Sequence, residues 1–357
     1  MTATQKKYFT EELMRWHHSA NTRSLPWKEE KDPYKIWLSE IILQQTRAQQ
    51  GLPYYLGFTQ AYPDVHALAA AADEEAFRLW QGLGYYNRCK NMLATARYIS
   101  SQLEGRFPET YEGILALKGI GPYTASAIAS FAYGLPCAVV DGNVYRVLSR
   151  YFGIDTPFDT TEGKRRFSEL AQQLLANDSA AYNQAIMDLG ATVCTPGATA
   201  RCGDCPLQKK CVAFRHGMVA LLPVKSKRTE VKTRYFHYLL LLADGQLWIQ
   251  KRSAKDIWQN LHEPYLLEAT APLDAAGLVK HPGYRSLPVP KGGSPAYEGM
   301  LRQRLSHRVI ESHFFTLHLR GTIPMPGDNG NWQPLEQLKN LAFPKTLVSF
   351  LEKKLYF

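Results

Sequence analysis

Apolar residues recur every three or four positions through most of the first 215 residues, the period of helices that bury one face, and give way to strand-like apolar runs from Phe236 onward. The spacing predicts a short amphipathic helix over 8–19, broken at Leu25-Pro26-Trp27. Asp32-Pro33, a cap followed by a first-turn proline, opens a helix read through about Gln50, with Tyr34, Trp37, Leu38, Ile41 and Ile42 on its core face. Two alanine-rich helices are expected over 64–103, separated by a Gly82-Leu83-Gly84 turn. Residues 115–150 read as a helix, a glycine turn, a second helix and an aspartate-bearing connection into a third helix capped by Asn143; helices over 162–176 and 179–191 follow. The charged, aperiodic stretch 221–234 reads as a basic linker. Beyond it come a strand at Phe236–Ala243, an Asp244-Gly245 hairpin turn, a return strand to Lys251, and strands near 262–269, 299–306 and 312–323. A closing helix over 344–355 turns Leu347, Val348 and Leu351 inward. The pattern is a mainly α domain over 1–220 and an α+β domain over 235–357.

A chain of 357 residues can hold two such cores. Its 42 basic against 32 acidic residues, a net charge of +10, suit a polyanionic partner, although a merely basic enzyme has the same balance. No apolar run approaches the ~20 residues of a membrane span, so no membrane role and a cytoplasmic location are expected. Four of the six cysteines fall between 194 and 211, a reducing-compartment pattern of metal ligands rather than disulfides. Cys194, Cys202, Cys205 and Cys211 would supply four thiolates, a set that zinc and a [4Fe-4S] cluster accept equally.

Two stretches carry further chemistry. Gly119-Ile120-Gly121-Pro122 permits a positive-φ turn with aligned amides at a helix start, a phosphate cradle if it meets nucleic acid. Glu40 lies on the predicted helix with Ile36 one turn before it and Leu43 nearly one turn after. A carboxyl desolvated there would hold its proton near neutrality, as a general acid must, whereas most helical glutamates are simply solvated. Tyr85 and Tyr86 beside Arg88 and Lys90 suit a nucleic-acid surface or a core equally.

The run Leu117-x-Gly119-Ile120-Gly121-x-x-Thr124-Ala125, followed by Val140-Asp141-x-Asn143-Val144-x-Arg146-Val147, resembles the helix-hairpin-helix DNA glycosylases, and specifically the MutY-type adenine DNA glycosylases. Trp37-Leu38-Ser39-Glu40-x-x-Leu43-Gln44-Gln45-Thr46 and Gly82-Leu83-Gly84-Tyr85-Tyr86-x-Arg88 extend the match, strong over 8–215 and weaker over 234–357. The resemblance implies excision of adenine opposite 8-oxoguanine or guanine in double-stranded DNA by a monomer. Glu40 would be the catalytic acid and Asp141 the group that stabilises or traps the sugar cation, with Tyr123 and Asn143 in support. Tyr123 stands where strand-cutting relatives carry lysine, which implies a glycosylase without strand cleavage. DNA contacts would fall to Arg23, Leu25, Gln44, Gln45, Thr46, Tyr86, Arg88, Gly119 and Gly121, with Gln45 and Tyr86 inserting into the duplex and Arg201, Lys209 and Lys210 near its backbone. The cysteines would hold a [4Fe-4S] cluster, although the first gap, seven residues, is one longer than the family's usual. The second domain resembles a Nudix-like fold without the metal-binding Nudix helix, reading 8-oxoguanine through Leu305, Ser306 and His307; a Ser312-His313 alignment fits less well. Two other classes remain to be separated: a glycosylase of the same fold for thymine mismatches or damaged pyrimidines, and a non-catalytic DNA-binding or cluster-bearing sensor.

Overall fold

The computed structural model describes residues 2–226, 231–253, 255–289, 293–305, 308–326 and 329–355. It separates into two compact units, Met1–Ala70 with Asn91–Lys227, and Ala71–Lys90 with Arg228–Phe357. In chain order the helices up to the cysteine region are α1 (Ala3–Ser19), α2 (Pro33–Leu43), α3 (Ala48–Ala61), α4 (Val65–Ala70), α5 (Asp73–Leu79), α6 (Asn87–Gln102), α7 (Tyr111–Leu115), α8 (Pro122–Tyr133), α9 (Gly142–Phe152), α10 (Thr161–Leu174), α11 (Ser179–Thr192) and α12 (Val212–Arg215). Among the described residues no helix is long and apolar enough to cross a membrane.

The first unit departs from the sequence expectation at three caps and breaks. α1 begins five residues earlier than its apolar pattern, because the Thr2 side chain accepts from the Gln5 amide and nucleates the polar first turn. The helix read from Pro33 to Gln50 is two helices: Gln45 adopts a left-handed φ of 57°, which no helix interior accommodates, and the chain turns there. The cap of α9 is Asp141 rather than Asn143. Of the two glycines in the central turn only Gly119, at φ 79°, uses the left-handed region, and a side chain there would meet Asn91; Gly121 is an extended N-cap.

The core of this unit packs α9 against α11, with α1 and α10 closing it through Phe9, Leu13, Val147, Phe167 and Leu170. The approach of α9 to α11 is set by Gly190, where an added Cβ would lie 2.6 Å from the Cβ of Asn143 and 3.0 Å from its backbone oxygen. The segment expected as a linker begins as part of this unit: Leu222 is buried with its carbonyl accepting from Arg150, and Ser226 bonds Asp159.

The second unit is built on a seven-stranded sheet of β1 (Lys232–Ala243), β2 (Gln246–Lys251), β3 (His262–Glu263), β4 (Tyr265–Ala269), β5 (Ala296–Arg304), β6 (Arg308–His318) and β7 (Gly330–Pro334). The path runs β3-β2-β1-β6-β5, with β4 on β1 and β7 on β2. β1 and β2 form the expected hairpin, Asp244 and Gly245 supplying the two positive φ angles of a tight turn. Side chains alternate across the sheet, so Phe236, Tyr238, Ile310 and Phe314 pack under α15 (Lys345–Leu355), which follows α13 (Ala275–Lys280) and α14 (Pro282–Arg285). Leu239, Leu241, Trp248 and Phe315 pack on the other side with Leu278 of α13 and Tyr284 of α14. β7, α13 and α14 have no counterpart in the sequence reading.

Gly190→Ala should therefore destabilise the first unit by about 1–3 kcal/mol, because the new methyl meets backbone that cannot rotate away. Urea denaturation checks this, and an unchanged midpoint would mean that α9 and α11 do not approach as closely as described.

Candidate active site

Glu40 points from the buried face of α2 into a pocket of about 760 Å³ and retains 8% exposure. Ile36 and Leu43, its helical neighbours, line the same pocket with Leu25, Trp27 and Phe131. Burial pushes its carboxyl up to about 7; the Tyr123 hydroxyl, hydrogen-bonded to it from the first turn of α8, pulls down, and the charge of Asp141 pushes up again. Tyr123 stays a neutral donor, its phenol raised by burial and by the two acids.

Asp141 faces the same pocket from the start of α9. One carboxylate oxygen accepts from the amides of Asn143 and Val144, both at 2.8 Å, and the other from the Asn143 side chain at 2.7 Å. Burial raises this carboxyl too, but Val144, Asn143 and the Arg146 cation all favour its ionised form. Asn143 is steadied in turn by Arg146, whose Nη2 donates to its side-chain oxygen at 2.7 Å and to Gly190 O at 2.7 Å. The amide of Asn143 therefore serves Asp141 and Arg146 rather than orienting Glu40. Arg146 also donates from Nε to Cys194 O at 2.6 Å, tying the aspartate cap to the first cysteine.

Four residues on, Arg150 is 2% exposed and aims its guanidinium at Cys194 Sγ, 3.4 Å away, and at the carbonyls of Thr195 and Gly197. Cys194, Cys205 and Cys211 pack against the α9–α11 core. The thiol of Cys205 is pushed up to about 12, first by burial and then by Cys194, Cys211 and Cys202, so the four sulfur atoms share one neighbourhood. Among the described residues, no three metal-ligating side chains converge tightly enough for a single ion.

Other expected contacts divide. Arg23, Leu25, Gln45 and Thr46 line the pocket with Glu40. Gln44 instead turns toward Thr124 at 3.3 Å. Gly119 and Gly121 form the turn into α8, anchored where Thr95 Oγ1 donates to Lys118 O at 2.7 Å. Lys210 lies 4.0 Å from the centre of the Tyr8 ring, while Arg201 and Lys209 belong to the cysteine loop.

In the second unit Tyr86 is buried at 6% exposure, its hydroxyl donating to Phe343 O and accepting from the Gly82 amide. An inserting role does not fit a ring in that position. Tyr85, left-handed at φ 50° and 47% exposed, is the outward member of the pair, with the Arg88 guanidinium stacked on it and on Trp80. Leu305 lies in the β5–β6 connection, its amide donating to Arg308 O at 2.8 Å. Ser306 and His307 lie outside the described residues. Ser312 and His313, the alternative pair, are buried within β6.

Sequence reasoning missed Gln184 and Asp188 on α11, and Lys28. Asp188 is fully buried and accepts from Asn21, Arg23, Lys28 and Gln184. Its trace in the sequence is a carboxylate set among Ala185, Ile186, Met187 and Leu189 on α11.

Residues 38–173 match the model of the HhH-GPD superfamily base excision DNA repair proteins. The adenine DNA glycosylase of Buchnera aphidicola subsp. Schizaphis graminum is 33% identical over 254 residues, 71% of this chain and 73% of that one. The human adenine DNA glycosylase is 41% identical over 217 residues, 57% of this chain and 39% of its own. Among solved structures, a thermostable thymine-DNA glycosylase aligns with a TM-score of 0.55 at 28% identity, covering 60% of this chain and 98% of its own. A trapped endonuclease III–DNA covalent intermediate aligns at 0.53 and 19% identity, covering 61% and 99%, a likeness of fold. The chain belongs to the adenine DNA glycosylases of the HhH-GPD base-excision repair superfamily.

Proposed function

We propose that this protein excises adenine mispaired with 8-oxoguanine or guanine in double-stranded DNA, hydrolysing the N-glycosidic bond without cutting the strand. The observation that carries the reading is the pairing, in one pocket, of a carboxyl held near pKa 7 with a second carboxyl surrounded by donors. The adenine leaves the stack at a cost of a few kcal/mol and enters between Leu25, Trp27 and Phe131. Glu40 gives its proton to N7, so the C1′–N9 bond can break with a neutral base departing. Asp141 meets the positive charge left on the sugar, directly or as a covalent adduct, until water adds to C1′ and surrenders its proton to a carboxylate. No lysine lines the pocket among the described residues, and Tyr123 cannot form the imine that strand cleavage requires.

Among the residues lining the pocket, the left-handed, exposed Gln45 is suited to hold the vacated stack open. The net charge of +10 favours a DNA duplex as partner. Leu305, Ser306 and His307 would read 8-oxoguanine, whose N7–H a serine oxygen can accept and guanine does not offer.

Cys194, Cys202, Cys205 and Cys211 would hold a [4Fe-4S] cluster, a centre that four thiolates can ligate as they can zinc and that the family resemblance favours. Arg150 offsets the negative charge that such a centre carries. The cluster would crosslink the 194–211 loop and, through Arg146, steady Asp141; base removal uses the carboxyls alone.

On a duplex with adenine opposite 8-oxoguanine, single-turnover excision should yield an abasic site that breaks only after alkali. Glu40→Gln and Asp141→Asn should each lower the rate about 10²–10⁴-fold while retaining DNA affinity, and a loss below about tenfold in either would contradict the two-carboxyl reading. Protein purified without air should be brown, absorbing near ~400 nm with about four irons per chain; colourless protein with one zinc would refute the cluster.

A further inference from the structure

We infer that Arg150 is the buried cation that balances the charge of the sulfur centre and so resists the loss of an electron from it, an inference that rests on the four cysteines holding a [4Fe-4S] cluster. Arg150 is buried, and every hydrogen bond its guanidinium donates goes to a carbonyl or to sulfur. Nε reaches Leu222 O at 3.0 Å, Nη1 reaches Thr195 O at 2.8 Å and Cys194 Sγ at 3.4 Å, and Nη2 reaches Gly197 O at 3.2 Å. Its own carbonyl lies 3.4 Å from Cys211 Sγ, so one residue of α9 meets both the first and the last of the four sulfur atoms. The first gap between cysteines folds onto it as well, through Thr195 and the left-handed Gly197 at φ 63°.

The other buried arginines are answered by acids, Arg252 by Glu263 directly and Arg146 by Asp141 through the side chain of Asn143. No carboxylate pairs with Arg150 among the described residues. A guanidinium does not shed its proton in a protein, and a buried charge without an opposite one is costly. The anion within its reach is thiolate sulfur, at Cys194. Four thiolates outweigh the positive charge of the iron–sulfide core they hold, and loss of one electron leaves the whole less negative. A fixed cation beside one sulfur therefore favours the state before that loss, in an interior where little water screens it.

The test is the midpoint potential for one-electron oxidation of the full chain, purified without air and measured by voltammetry on an electrode. Arg150→Gln keeps donors for the carbonyls and removes the charge, so at a fixed potential the ratio of oxidised to unoxidised centre should rise about tenfold, a fall of about 59 mV in the midpoint. Arg150→Lys keeps the cation, and its ratio should stay within about threefold of the parent. A loop that the substitution merely loosened would admit water, which favours the more negative state and moves the midpoint upward instead. If Arg150→Gln is purified without iron, Arg150→Lys should still carry about four irons per chain. A midpoint unchanged or raised in Arg150→Gln, one lowered as far in Arg150→Lys, or two variants equally empty of iron would overturn the inference and assign Arg150 to the shape of the loop. A parent without iron would instead overturn the cluster reading beneath it.

Discussion

Two carboxyl groups buried in one pocket cannot both ionise at ordinary cost, and most of the helical unit follows from how that conflict is resolved. Burial raises both acids. Glu40 has one neutral donor, Tyr123, to offset it, and lies among Ile36, Leu43 and other apolar groups. Asp141 has the open amides of a helix start, an asparagine side chain and the Arg146 cation behind them. The same desolvation is thus met by one donor at Glu40 and by several at Asp141, the asymmetry that acid-assisted loss of a base would require.

The donors that favour the anion have supports of their own. Arg146 holds Asn143 where α9 lies tightly on Gly190, and its remaining bonds go to the Gly142, Gly190 and Cys194 carbonyls. The cysteine loop is thereby part of the machinery that orders Asp141, with Arg150 one turn further along α9 facing the first thiol. Asp188 plays the corresponding part on α11, where one buried carboxylate collects donors from the 21–28 loop and from Gln184. Such ion-paired interiors contribute little net stability, and their value here lies in fixing orientation.

Much of this was legible in the sequence where local chemistry decides the outcome. Asp32-Pro33 fixed the start of α2 and Asp244-Gly245 the hairpin, whereas the spacing of Ile36, Glu40 and Leu43 allowed a desolvated glutamate without requiring one, and the family resemblance singled it out. What failed depended on tertiary partners. Nothing in Gln44-Gln45-Thr46 marks a break, because only the fold forces Gln45 into a left-handed conformation. Tyr85 and Tyr86 are chemically alike, and burial alone separates the outward ring from the inward one. Arg146 and Arg150, four apart on α9, find acceptors distant in sequence, carbonyls and a thiol, that no local pattern announces.

The account is tested most directly by the pH dependence of single-turnover adenine excision. The coupled pair predicts a narrow bell: the rate falls on the basic side near pH 7, as Glu40 loses its proton, and on the acid side above the usual aspartate range, as Asp141 gains one. A rate constant that stays level or climbs through about pH 9 would contradict the assignment of Glu40 as the acid.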